Sequence, residues 1–395
     1  MKINIYGWCL LICSTLAIFS CSKKKDPIRI IDTSYKEVIK ETRREAMFFM
    51  ARSFTPGSAI AVSVKGKLVY SEGLGLASTD LDVPATRHTK FRIGGITQAM
   101  TSLAYYKMTE EGLLNPDADI QQYLPDFPEK TYPIKLQNLV DQTSGLRTPT
   151  EEELNWRGLN VSIKKGIETF RNDTLLFPPG AFQYPTNFSF NLLGAIMEEK
   201  TGEPFSKVMQ NWITDTLGMM NTVPDHPMIT IKGRTNFYDR DFIANVVNAT
   251  FRDLRYRMPS DGYLSTAEDM IKLGNALLYG NTFSEDVKNK MLTAPRITEE
   301  VDLHHGNGLL FLENFEGDRF YAARGNITGG GAMLIIYPEE EIVVAWLSNL
   351  DDAMDEMPGL LVASNFRDFE KGEFKTKEQK LKEREKEVRK ETEDK

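Results

Sequence analysis

Two strand hairpins, one near each end of the body, enclose a mainly helical middle, and this order constrains the fold more than any other feature. Ile60, Val62 and Val64 alternate with Ala61 and Ser63, the period of a half-buried strand. Lys65-Gly66-Lys67 supplies a turn and Leu68-Val69-Tyr70 the return strand. Met333 to Tyr337 and Ile342 to Leu347 are apolar strand runs joined by Pro338-Glu339-Glu340-Glu341, a second hairpin. Between them, Thr97 to Glu111 reads as a helix stopped by Gly112. Residues 115 to 262 alternate Pro, Asn and Gly punctuation with short helices, including Phe190 to Lys200, and residues 26 to 52 also read as helical. The expected fold is therefore α/β (α+β): a discontinuous α/β lobe holding an antiparallel sheet with terminal helices, and an inserted, mainly α lobe. A cleft between the lobes is the expected ligand site.

Composition excludes several classes. Hydrophobic residues at 41% support a real core, and a net charge of −8 argues against a nucleic-acid partner. Cys9, Cys13 and Cys21 all precede the body, so neither a disulfide framework nor a thiolate metal site is available there. The start reads as a secretion signal: Lys2, then an apolar run from Ile5 to Phe19, short of the roughly 18 residues a spanning helix needs. Ile18-Phe19-Ser20-Cys21 resembles a bacterial lipobox whose cysteine takes a lipid. The alternative is an uncleaved anchor helix, against which Lys23 to Lys25 weigh, because positive residues stay cytoplasmic. The expected location is exported and lipid-anchored to a bacterial envelope membrane, periplasmic or surface-facing. From Lys371 onward 18 of 25 residues are charged, which reads as a solvated helix or a frayed tail.

Several ordered segments carry a family resemblance. Phe91-Arg92-Ile93-Gly94-Gly95-Ile96-Thr97-Gln98 resembles the nucleophile segment of class C β-lactamases, penicillin-binding-protein esterases and serine β-lactamase-like proteins. Pro259-Ser260-Asp261-Gly262-Tyr263-Leu264-Ser265-Thr266-Ala267-Glu268-Asp269 resembles that family's second signature, with Gln142-Thr143-Ser144-Gly145-Leu146 in order between them. The resemblance implies the two-lobed β-lactamase/transpeptidase-like fold. It divides the chain into a signal at 1–21, a linker at 22–34, the domain at 35–365 and a tail at 366–395. Within the domain the α/β lobe takes 35–90 and 265–365, and the α lobe 91–264.

The same resemblance implies a Ser-x-x-Lys pair in which serine attacks and lysine helps remove its proton. Gly95 and Gln98 occupy those positions, and neither can do that work. The Tyr-x-Asn element falls on Pro185 and Asn187, with Tyr184 one residue early. The facing Lys/His-Thr-Gly strand aligns with Ala323-Arg324-Gly325, so a guanidinium stands one residue late, able to grip a carboxylate or to point away. The family's oxyanion hole uses two main-chain N–H groups, which Gly95 and Asn326 would supply. The expected ligand cleft is Gly95, Gln98, Tyr184, Asn187, Arg324, Gly325 and Asn326. No cofactor and no metal is implied, since His304 and His305 alone are not a metal site. Ser162-Ile163-Lys164-Lys165, Ser22 with Lys25, and Lys200-Thr201-Gly202 read as chance matches.

Losing such a catalytic unit costs about 10⁶ in turnover. The expectation is a binding or scaffolding protein, for a peptidoglycan-type peptide or an envelope protein. One alternative is a hydrolase with Thr97, Ser102 or Tyr184 as a rearranged nucleophile. Another is a structural lipoprotein that makes contacts through its charged tail.

Overall fold

Alternation in the first hairpin sorts its side chains into two cores, one on each side of a single sheet. The computed structural model describes residues 29–154, 162–298, 301–314 and 316–379, with Lys382, Glu383 and Lys386 beyond them. The secretion signal, Cys21 and the Ser22–Lys25 match lie outside the described residues. In chain order the main elements are β1 (Ile30–Ile31), α1 (Lys36–Arg52), β2 (Gly57–Val64), β3 (Lys67–Ser78), α2 (Ile96–Glu110), α3 (Asn187–Thr201) and α4 (Ala267–Leu278). They continue with β4 (His305–Gly306), β5 (Leu309–Glu313), β6 (Arg319–Ile327), β7 (Gly330–Tyr337), β8 (Ile342–Ser348) and α5 (Pro358–Lys371). The strands form one antiparallel sheet in the order β1-β3-β2-β8-β7-β6-β5-β4. The two predicted hairpins thus meet at its centre, where Val344 lies opposite Val62.

Ile60, Val62, Val344 and Trp346 face α1 and α5, packing with Val38, Ile39, Val362 and Phe366. Ala59, Ala61, Val343, Ala345 and Leu347 face the other way, onto Met270, Leu273 and Leu277 of α4. The half-buried expectation for β2 is therefore corrected: all eight of its residues are buried. Its small residues sit under a helix, not under water. That helix lies close, since a Cβ on Gly274 would come 2.5 Å from Val343 Cγ1. The first turn is tighter than expected. Val64 pairs with Lys67, leaving Lys65 (φ 50°) and Gly66 (φ 73°) as a two-residue loop whose twist suits a hairpin.

Three boundaries move. Residues 29–32 are not helical, because Ile30–Ile31 pairs with β3, and Asp32 caps a 3-10 turn at Thr33–Tyr35 that leads into α1, so the end of the expected linker belongs to the fold. At the other end α5 runs to Lys371 with Phe366 fully buried, so the domain extends past residue 365. Within the nominal α lobe, Tyr238–Arg240 pairs with Val246–Asn248, and Tyr238 is buried in the sheet-side core. The rest of that lobe packs around α2, which is buried over most of its circumference. Gly202 (φ 70°) closes α3, and Ser162 caps Ile163–Ile167, which accounts for both of those motif matches as helix ends.

Candidate functional site

The two signature segments are neighbours in space. Phe91 pairs with Ser265 and Arg92 with Leu264, and the chain then turns through Gly94 (φ 46°) into α2. Gly95 stands at the helix start, against β6. A Cβ on Gly94 would lie 3.0 Å from Gly325 Cα, and a Cβ on Gly95 would lie 2.6 Å from the Arg324 carbonyl oxygen. Real Cβ contacts are not that short, so the volume of a side chain at 95 is taken by strand backbone. Gly95 and Gln98 nevertheless remain partly exposed, so the mouth of the cleft reaches them.

Gln98 is held in a polar chain. Its Nε2 donates to Asn187 Oδ1 (3.1 Å), and Asn187 Nδ2 donates to Asp261 Oδ2 (2.9 Å). Asp261 Oδ2 also accepts from Arg257 Nε (2.7 Å) and Ser260 Oγ (2.8 Å). Both Arg257 and Asp261 are buried. Burial opposes the Arg257 charge, but the Asp261 carboxylate outweighs it and raises the guanidinium pKa. A buried ion pair thus stands behind the amides where the family implies a lysine. Sequence reasoning missed Arg257 and Asp261. Their signal was available as opposite charges four apart, a spacing that brings side chains together on a helix.

On β6 the faces alternate. Ala323 is buried toward α2, and Gly325 meets Ile93. Arg324 and Asn326 point to the other face, where the Arg324 guanidinium pairs with Asp355 and Asn326 Nδ2 donates to Asp352 (2.8 Å). Those two side chains are therefore engaged outside the expected cleft, which keeps only their backbone. Ile327 and Gly330 flank a two-residue turn, so Asn326 opposite Gly331 is a pair whose N–H points away from β7. That N–H comes within 3.3 Å of where a Cβ on Gly94 would sit, beside the nucleophile segment.

The other expected residues separate from the site. Pro185 is exposed, and Tyr184 remains 39% exposed with its ring edge-on to Phe177, 6.4 Å between centroids. Its N–H bonds the Gln142 carbonyl, and no bond joins its hydroxyl to Gln98 or Asn187. Thr97 and Ser102 are wholly buried, out of reach of a substrate, and their hydroxyls have no partner among the described residues. His305 lies in β4, where burial pushes its imidazole down to about 4, and His304 is exposed. Among the described residues no cluster suits a metal ion.

Beside this chain of amides lies a cavity of about 260 Å³. Asn187, Asn191 and Arg257 line it with apolar surface from Pro149, Phe188 and Tyr256. Asn191 is buried, and its Oδ1 has no hydrogen-bond partner among the described residues. An unsatisfied buried acceptor favours a ligand that brings an N–H or O–H.

The family model described as Beta-lactamase matches residues 48–363. The human mitochondrial serine beta-lactamase-like protein LACTB is 30% identical over 295 residues, 57% of this chain and 54% of that protein. Protein flp of Staphylococcus aureus (strain MRSA252) is 29% identical over 178 residues, 44% of this chain and 36% of that protein. The chain thus spans about half or less of the curated relatives it matches. Among solved structures, the octameric penicillin-binding protein homologue from Pyrococcus abyssi superposes with a TM-score of 0.74 at 22% identity, covering 85% of this chain and 78% of that one. FmtA from Staphylococcus aureus gives 0.70 at 18% identity, over 86% and 92%. With its signature segments joined at Gly95 and its sequence matched over residues 48–363, the chain belongs to the β-lactamase-like serine hydrolase family.

Proposed function

We propose that this protein is a catalytically inactive member of its family that binds without cutting, tethered through Cys21 to a bacterial envelope membrane. The observation that carries this reading is Gly95: it has no atom to acylate, and the Arg324 carbonyl lies 2.6 Å from where its Cβ would be. Gln98, bonded to Asn187, supplies no base. What remains is a binding surface. The main-chain N–H groups of Gly95 and Asn326 suit a carbonyl or carboxylate, and the cavity at Asn191 suits a donor on an apolar body. A peptidoglycan-type peptide or a peptide segment of an envelope protein carries both kinds of group.

Incubation of the purified protein with a fluorescent penicillin, followed by denaturing electrophoresis, tests the inactive reading. No label is expected to survive denaturation. A covalent adduct sinks the proposal and directs attention to Tyr184, the only one of the three alternative nucleophiles with an exposed side chain.

A further inference from the structure

The two ends of the sheet differ in chemistry. At the β2–β3 turn the surface is charged, with Lys65 paired to Glu370 and Lys67 to Asp32. At the opposite end, where Gly57 lies beside Gly75, the strand pair Tyr238–Arg240 and Val246–Asn248 sits against the loop after α1, tied to it by a bond from Arg240 to the Ser53 carbonyl. A groove of about 1000 Å³ runs between them, lined by Phe54, Pro56, Ile243 and Val247. Around it Phe54, Leu81, Phe242 and Ile243 stand 69%, 74%, 97% and 64% exposed. Exposed apolar clusters rimmed by polar residues mark contacts with a partner or a membrane.

The tip that carries Phe242 and Ile243 satisfies its own backbone. Asp241 N–H donates to the Asn245 carbonyl (3.0 Å) and Ala244 N–H to the Asp241 carbonyl (2.9 Å). The Asp241 carboxylate accepts from the Ile243 N–H (3.0 Å), the Asn245 N–H (2.8 Å) and Asn245 Nδ2 (3.0 Å). Internal bonding of this kind suits a loop that enters a lipid interface, where an unbonded N–H is costly. The strand register points the same way. Ile30 lies opposite Ser71 and Ile31 opposite Tyr70, so β1 followed backward runs toward Gly75, and Arg29 meets Glu72 at 3.7 Å. Along β3, Arg29 thus stands about 10 Å from Gly75 and about 17 Å from Lys67. Cys21 precedes Arg29 by eight residues, a span of at most about 29 Å. A lipid on Cys21 therefore favours the apolar end of the sheet, not the charged one, as the end that meets the bilayer. Asp80 and Asp82 are exposed there, which opposes an anionic surface and leaves a neutral one.

We propose that this end of the sheet is a membrane-docking face whose Phe242 and Ile243 enter the headgroup layer of a neutral bilayer, a reading that rests on the Cys21 tether. Phe54 and Leu81 flank the inserted tip, and the body is held on the membrane in one orientation.

The native cysteines all precede the body, so Ile243→Cys and, at the far end of β3, Lys67→Cys each give a thiol that takes an environment-sensitive dye. Dye-treated wild type supplies the background. The full chain, purified from membranes, is mixed with vesicles of phosphatidylcholine brominated in its acyl chains. Loss of dye emission to bromine is expected at 243 and not at 67. Adding Phe242→Ser to the 243 variant is expected to reverse most of that loss, and mixing phosphatidylglycerol into the vesicles to weaken it. Mass spectrometry of the same preparation reads the lipid on Cys21. Lipid on Cys21 without quenching at 243, or with equal quenching at 243 and 67, overturns the docking face and leaves the tether standing. Quenching at 243 alone without that lipid supports the face and sinks the tether. Absence of both signals sinks both. An emission change at 243 that grows with protein concentration in the absence of vesicles assigns the face to a second copy of the chain and overturns the proposal.

Discussion

At Gly95 a nucleophilic side chain is missing, and the carbonyl oxygen of Arg324 occupies the place where its Cβ would be. Gly95 could have been a lost side chain in a preserved pocket. Instead β6 lies against it, and packing itself calls for glycine there. Gln98 shows the same adjustment, since its neutral amide continues a chain that ends on the Asp261–Arg257 pair. Truncating one partner of a buried pair strands the other charge. Asp261→Ala is therefore expected to lower stability by about 3–5 kcal/mol, measured by urea unfolding. The Arg257→Met, Asp261→Leu double substitution should recover most of that loss, because it removes both charges together. Equal losses in the single and double variants would show that packing, not charge, governs this corner.

Elements meet here because their small residues allow it. α4 crosses the sheet over Gly274, with Val343 directly beneath, and the Ala59, Ala61 and Ala345 row gives that helix its seat. A Cβ at 274 has to displace Val343 or lift the helix, and overpacking of this kind costs about 1–3 kcal/mol. Gly274→Ala is expected to fall in that range by thermal or chemical unfolding, although alanine is the better helix former. A stabilised variant would mean that α4 shifts freely on the sheet. At the opposite end of the scale of tightness, Gly202 and Gly112 would meet nothing within 4 Å and serve as turns.

Over the whole molecule, two half-buried groups pull the pH dependence of stability in opposite directions. Burial, reinforced by Asp352, Asp239 and Asp355, pushes Asp351 up to about 7 from its ordinary 3.8. The folded state therefore binds its proton more tightly than the unfolded chain, so this contribution is full below 3.8 and is lost as pH rises through about 7. Burial pushes His305 down to about 4 from 6.5, so its contribution is full above 6.5 and is lost as pH falls through about 4. Asp351→Asn should raise the melting temperature near about pH 8 and leave it nearly unchanged near about pH 4. A uniform shift across that range would exclude Asp351 as the titrating group.

Much of this was legible in the chain itself. The two hairpins, the ends of α2 and the C-terminal end of α3 follow from local periodicity and caps, which need only neighbouring residues to be read, while the positions of Gly95, Gln98 and Asn187 came with the family resemblance. The burial of both faces of β2 was not legible, because an alanine row looks the same beneath a helix and beneath water until the helix is placed. Arg324 and Asn326 were placed on the right strand, but their partners Asp355 and Asp352 come from a later loop that only the folded chain brings near. The sequence by itself determined that no serine and no lysine stand at the expected catalytic positions. Only the tertiary structure decided that backbone fills the space at Gly95 and that Arg92 and Arg234 share the Asp225 carboxylate behind it. Residue identity is a property of the chain, whereas the approach of one main chain to another depends on how every layer between them packs.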